Sequence, residues 1–176
     1  MIDKIRKIEA KKNFDQYLLD GLIEKRKDDL AQTKYLENAE LSLKVANELL
    51  ESSNKPYLWI IVISYYAMFY SANSVLLKLG YKIQDKIVHK VTNEALIVLI
   101  LDKLKKELLE DYEVIKADAM EIVSIKAENL IEDYELELSK RSRFQYNMLE
   151  ETKEAKAKTS ISRANKFVFE MKKLLK

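Results

Sequence analysis

Ser64-Tyr65-Tyr66-Ala67-Met68-Phe69-Tyr70 lies in the middle of a run, Pro56 to Leu77, that contains no charged side chain. The rest of the chain is crowded with lysine and glutamate, and 34% of all 176 residues are charged. The run is long enough for a helix of about six turns. Gly80 is placed to end that helix, as the residue just past its last turn. A helix that is apolar on every side must be enclosed by protein or by lipid.

The polar groups of this run decide between the two surroundings. Four tyrosines, three serines and Asn73 lie between Pro56 and Leu77. Each of these groups needs a hydrogen-bond partner, which hydrocarbon does not supply. We therefore expect the run to form the centre of a protein core and not a membrane span. Trp59 and Phe69 are expected to lie inside that core.

Composition sets the fold class. The chain has two glycines, one proline and no cysteine, which leaves little for the tight turns of a sheet protein and excludes disulfide and thiolate chemistry. Leucine, lysine, glutamate, isoleucine and alanine dominate, so we predict an all-α protein. The N-terminal residues alternate charged and aliphatic side chains without the apolar core of a secretory signal, and we expect a cytoplasmic protein.

Hydrophobic periodicity predicts an antiparallel bundle of about five helices, residues 29–176, preceded by an N-terminal helical extension, residues 1–28, that is broken near Gly21. Asp29 is the predicted N-cap of the helix before the central one. Further helices are expected over 88–104, 108–138 and 150–175. Apolar residues spaced by three and four define the faces expected to pack on the core: Leu36, Ala39, Leu43, Ala46 and Leu50 in the first bundle helix, and Ala157, Ile161, Ala164, Val168, Met171 and Leu175 in the last.

A net charge of +2 conceals a strong division along the chain. Residues 102–139 carry twelve acidic and five basic side chains, a net charge of −7, whereas residues 140–176 carry four acidic and eleven basic ones, a net charge of +7. The basic side chains could hold phosphate groups of a nucleic acid, with Arg143, Lys153, Lys156 and Arg163 as candidates. Alternatively, the acidic and basic helices lie side by side and neutralise each other.

The central run, together with the segment after it, resembles the HEPN family of prokaryotic helical bundles. The resemblance rests on Ser64 to Tyr70, on Leu76-Leu77-Lys78-Leu79-Gly80 and on the pair His89-Lys90. It continues at Arg141-Ser142-Arg143-Phe144-Gln145-Tyr146, where family members have an Arg followed by Ala-Asp-Tyr; Arg141 and Tyr146 match this pattern, and Phe144 and Gln145 do not. The similarity extends from about Asp29 to Leu175.

The resemblance implies a ribonuclease chemistry that depends on the presence of one histidine. Ribonucleases of the family use an Arg followed, after four to six residues, by a His, and two copies of this motif meet across a dimer. The His moves a proton of the ribose 2′-hydroxyl and the Arg stabilises charge on the phosphate. Here Tyr146 stands where the His would be, and no residue from Arg141 to Glu151 is a His. Tyrosine, with an ordinary pKa of about 10, is a poor general base at neutral pH.

His89 is the one histidine of the chain. It could complete the site from another helix, with Arg141 and Tyr146. Alternatively, it caps a helix or forms a hydrogen bond with a tyrosine hydroxyl. A metal site is not expected, because there is no second His and no Cys, and the carboxylates show no ligand spacing. No cofactor is predicted.

Two functions therefore compete. The resemblance implies either a dimeric HEPN module with a degenerate ribonuclease motif, bound to a minimal nucleotidyltransferase in a toxin–antitoxin-type system, or a metal-independent endoribonuclease that uses Arg141 with Tyr146 or His89. A homodimer is expected in both cases, RNA is a possible ligand, and no membrane is involved. The missing His favours the first function.

Overall fold

The computed structural model describes residues 2–135 and 150–176, with side chains for 2–124 and 153–176. Its helices are α1 (Lys4–Leu19), α2 (Asp29–Glu51), α3 (Tyr57–Lys78), α4 (Val88–Leu99), α5 (Lys106–Glu135) and α6 (Glu150–Leu174). Two short strands, β1 (Ile23–Lys25) and β2 (Tyr81–Ile83), form an antiparallel pair. A 3₁₀ turn, Leu101–Lys103, follows α4. The predicted all-α bundle is confirmed.

The charge-free helix α3 occupies the centre of the bundle and contacts α2, α4, α5 and α6. Within the described residues it is the one helix long and apolar enough to span a membrane, but 83% of its most apolar window is buried inside the protein. Pro56 precedes its first turn. Gly80 follows its end with φ of +85°, a left-handed conformation that glycine adopts without a steric cost. The bounds predicted for this helix are confirmed.

Small residues allow two helices to approach α3 closely. Ala39 and Ala46 of α2 and Ala157 and Ala164 of α6 are all fully buried, and the distance between packed helices depends on the side chains at the contact. The predicted apolar face of α6 is therefore confirmed from Ala157 to Met171. That of α2 is confirmed at its two alanines, while its predicted leucines, Leu36, Leu43 and Leu50, are only partly buried. Phe167, which was not part of the predicted α6 face, is also fully buried.

Two predictions of local structure were wrong, and one feature was not predicted. Asp28, not Asp29, is the N-cap of α2, and its side chain accepts a hydrogen bond from the backbone N–H of Ala31 at 3.0 Å. Trp59 is 50% exposed, so the first turn of α3 is not enclosed on that side. The strands β1 and β2 were not predicted, since three residues are too few to show an alternating pattern.

The N-terminal segment, predicted as an extension, packs on the bundle. Helix α1 contacts α4, and Ile2, Ala10, Phe14 and Tyr17 belong to the same buried cluster as the middle of α3. Strand β1 pairs with β2 directly after α3, with Ile23 opposite Ile83.

A buried ion pair ties α1 to the bundle. The Arg6 guanidinium donates to both carboxylate oxygens of Glu94 in α4, at 2.7 and 2.8 Å, and to Glu113 in α5 at 3.4 Å. The Glu94 side chain is 5% exposed. The amide of Asn93 donates to the same Glu113 carboxylate at 3.0 Å. Since an unpaired buried carboxylate is costly, Arg6 fixes the position of α1 on α4.

We predict that Arg6→Ala lowers the free energy of unfolding by about 3 kcal/mol, because it leaves the buried Glu94 carboxylate without its partner. Lys34→Ala is the matched control: it removes the exposed Lys34–Glu37 pair and should change stability by less than about 1 kcal/mol. Urea titration of the two variants measures both values. Equal effects would contradict the proposed role of Arg6.

Candidate functional site

The predicted site residues fall into three groups. Arg141, Arg143 and Tyr146 lie outside the described residues, so their expected roles stay predictions. His89 is the second residue of α4. Lys153, Lys156 and Arg163 lie on α6. The described part of the site therefore centres on His89.

Helix α3 supplies an aromatic wall around His89. The rings of Tyr65, Tyr66 and Phe69 have centroids 5.5, 5.9 and 4.8 Å from that of the imidazole. Tyr65 and Tyr66 both lie beside Phe69 because residues three and four apart share a helical face. The imidazole is half-buried. Its ring is thus packed against α3.

The hydroxyl of Tyr65 lies 2.8 Å from Nδ1 of His89. Tyr65 is fully buried, so its hydroxyl proton needs an acceptor inside the protein. The neighbouring hydroxyl of Tyr112 interacts with that of Tyr65, but it is not within hydrogen-bonding distance and angle of any described group. Of these two neighbours, Nδ1 of His89, at 2.8 Å, is the better-placed acceptor for Tyr65. We assign the neutral tautomer that carries its proton on Nε2.

Electrostatics favour the same neutral state. Burial lowers the pKa of His89 below its ordinary value, and the positive charge of Lys116 on α5 lowers it further. Burial also lowers the pKa of the Lys116 ammonium. The pKa values of Tyr65 and Tyr112 are raised by burial, so both phenols keep their protons. At neutral pH the site holds an uncharged imidazole against uncharged phenols.

This arrangement determines what His89 can do chemically. A general base needs a lone pair on the nitrogen that faces its substrate. In a serine-protease triad an aspartate accepts from Nδ1–H and thereby frees the lone pair of Nε2. Tyr65 acts in the opposite sense: it donates to Nδ1 and leaves the proton on Nε2. His89 therefore presents a hydrogen-bond donor. The predicted alternative in which His89 forms a hydrogen bond with a tyrosine hydroxyl therefore agrees with the structure.

Two of the basic candidates on α6 are paired with α5. Lys156 lies 3.3 Å from Asp118, and Arg163 lies 2.9 Å from Asp111. Lys153 is half-buried, and the structure records no ion pair between it and another described side chain. On the flank of α6 that faces α5, basic side chains are thus paired with acidic side chains of α5. This is the mutual neutralisation that was one of the two alternatives for the charged segments.

Sequence reasoning missed the cluster formed by Arg6, Asn93, Glu94, Glu113 and Lys116. Its members come from α1, α4 and α5, and Arg6 and Glu94 are 88 residues apart in the chain. No local pattern could have joined them. Across the described side chains there is no group of three or more His, Cys, Asp or Glu residues that could hold a metal ion.

The lowered pKa of His89 predicts a specific pH dependence. Because the unfolded chain binds the proton more tightly than the folded one, stability is complete above pH 6.5, the ordinary value for histidine, and decreases as the pH falls toward the lower folded pKa. Urea unfolding at about pH 7.5 and 5.5 should show this loss in the unaltered protein. His89→Gln, which does not titrate, should abolish it. An identical loss in that variant would assign the dependence to other groups.

Comparison with known protein families covers most of the bundle. The family model of the HEPN domain matches residues 32–174, from the first turns of α2 to the end of α6. Comparisons with curated proteins and with solved structures gave no match. The match includes the central helix α3 and the His89-Lys90 pair, on which the resemblance was based. This chain belongs to the HEPN domain family.

Proposed function

We propose that this protein is a HEPN module without ribonuclease activity that acts by binding other proteins. In this proposal it forms a homodimer and associates with a nucleotidyltransferase in a toxin–antitoxin-type system. The observation that carries the proposal is the 2.8 Å hydrogen bond between the Tyr65 hydroxyl and Nδ1 of His89, in which we assign Tyr65 as the donor. This bond keeps the one histidine of the chain in the form that cannot accept a proton at Nε2.

Cleavage of RNA through the ribose 2′-hydroxyl requires a general base and a cation for the phosphate. Arg141 could supply the cation. For the base, the chain offers Tyr146, with an ordinary pKa of about 10, or His89, whose Nε2 we assign as protonated. Neither group is suited to remove a proton at neutral pH. The degenerate motif and the state of His89 therefore support the same conclusion.

The competing proposal is an active metal-independent ribonuclease in which Arg141 works with Tyr146 or His89. For His89 to act as a base, its proton would have to move from Nε2 to Nδ1, which would leave the buried Tyr65 hydroxyl without its acceptor. Such an unsatisfied buried donor costs about 1–3 kcal/mol. That cost disfavours the use of His89 as a base. Tyr65→Phe tests this explanation, because the variant lacks the buried hydroxyl and therefore the cost.

We predict that the unaltered protein leaves single-stranded RNA intact over hours. Tyr146→His restores the Arg-to-His spacing of the family motif and should raise the cleavage rate by about 10²–10⁴-fold over background, the usual contribution of a general base. Arg141→Ala added to this variant should abolish the gain. Denaturing gels of an end-labelled RNA measure all three rates.

Tyr65→Phe is the control for the role of His89. If the Tyr65 hydroxyl is what prevents His89 from acting as a base, any activity of Tyr65→Phe must disappear in the double variant with His89→Gln. Robust cleavage by the unaltered protein, lost on Arg141→Ala, would overturn the proposal and establish the ribonuclease.

The proposed homodimer has the two Arg141–Tyr146 segments near its two-fold axis. The chain has no cysteine, so a single introduced thiol is a clean reporter. Tyr146→Cys should form an intermolecular disulfide under mild oxidation, because residues at the axis approach within the roughly 7 Å between Cα atoms that a disulfide allows. Lys158→Cys, exposed on α6, should stay monomeric on a non-reducing gel. A monomer by light scattering would contradict the dimer.

A further inference from the structure

A groove lies between α2 and α6, on the flank of α6 that does not face α5. It encloses about 630 Å³. Leu43 of α2 and Val168 and Phe169 of α6 supply its apolar surface. The pairs Lys156–Asp118 and Arg163–Asp111, by contrast, lie on the α5 side. The groove is therefore a surface of α6 separate from its contact with α5.

Phe169 is the most exposed aromatic side chain among the described residues, at 59%. One side of its ring is covered by the ammonium of Lys173, 4.3 Å from the ring centroid. Val168, next to it, is 2% exposed and belongs to the core. The groove thus has a firm apolar base beside an exposed aromatic ring, which is the geometry that accepts an apolar side chain of a partner.

Basic side chains dominate the rim of the groove. Lys172, Lys173 and Lys176 line it together with a single carboxylate, Glu40. Lys172 pairs with Glu40 across the groove. Lys173 pairs with Glu170 at 2.7 Å on its own helix. Lys176 has no side-chain ion pair within the described part of the chain. The rim is complementary to negative charge placed next to apolar side chains.

We propose that this groove binds an acidic amphipathic segment of a partner protein. The inference rests on the proposed function, since it gives the protein-binding module a surface for its partner. Apolar side chains of the segment contact Leu43 and Phe169, and its carboxylates contact the lysines of the rim. Nucleic acid fits less well, because its backbone binds through neutralised phosphates and gains little from the apolar surface of Leu43, Val168 and Phe169.

The proposal is tested with a defined probe. A fluorescein-labelled 20-residue helical peptide carries leucines at helical spacing and glutamates beside them, and a second peptide has glutamine in place of every glutamate. Fluorescence anisotropy should show saturable binding of the acidic peptide below about 1 mM. Binding of the glutamine peptide should be at least tenfold weaker, and affinity for the acidic peptide should fall with added salt.

Variants of the full chain locate the binding. Phe169→Asp should reduce the affinity at least tenfold, since it places a negative charge in the groove. Leu41→Asp is the matched control: Leu41 is 58% exposed on α2 and does not line the groove, so this variant should bind like the unaltered protein. Lys172→Gln combined with Lys176→Gln should weaken binding and reduce its dependence on salt. Circular dichroism confirms that each variant is folded.

The outcomes separate this inference from the proposed function. No saturable binding of the acidic peptide, or equal effects of Phe169→Asp and Leu41→Asp, would overturn the groove as a docking site, whatever the RNA assays show. Tighter binding of a labelled oligouridine, lost on Phe169→Asp, would assign the groove to nucleic acid. Self-association lost on Phe169→Asp would assign it to a second copy of the chain. Each of the last two results would overturn the proposal that the groove binds a partner protein.

Discussion

Helix α3 carries no charge from Pro56 to Leu77, and every side of it must therefore be removed from water. Four other helices contact it, and buried alanines of α2 and α6 bring those helices close. Two of its buried serines find acceptors locally or in a neighbour: Ser71 donates to the carbonyl of Met68, and Ser74 donates to that of Gln32 in α2. The buried Ser64 hydroxyl has no hydrogen-bond partner among the described residues. The bundle is built around this requirement for enclosure.

The same requirement determines the state of the one histidine. A tyrosine on a buried helix brings a hydroxyl into the core, and that hydroxyl needs an acceptor. Tyr65 finds it in Nδ1 of His89. The packing of α3 thereby sets the tautomer of the imidazole, and burial together with Lys116 keeps it neutral. A side chain that elsewhere serves as a base becomes a donor here because of the helix it packs on.

Local patterns predicted the parts of the fold that depend on local physics. The charge-free run predicted α3, and the three-four spacing of Ala39 and Ala46 predicted the buried face of α2. Long-range contacts left no such signal: the pairing of β1 with β2 joins segments on either side of two helices, and Arg6 meets Glu94 across 88 residues. At the site, the sequence suggested that His89 forms a hydrogen bond with a tyrosine hydroxyl, but it did not indicate which of several tyrosines supplies it. The assignment of donor and acceptor followed only from the burial of Tyr65.

We conclude that His89 is a neutral imidazole protonated on Nε2. Long-range ¹H–¹⁵N correlation spectra of the full chain with labelled histidine report the protonation of both ring nitrogens, and the single histidine makes the assignment direct. At pH 7 we expect a protonated Nε2 and an unprotonated Nδ1. In Tyr65→Phe we expect the equilibrium to shift toward the tautomer that is protonated on Nδ1. A proton on Nδ1 with a free Nε2, or a cationic ring at pH 7, would contradict it.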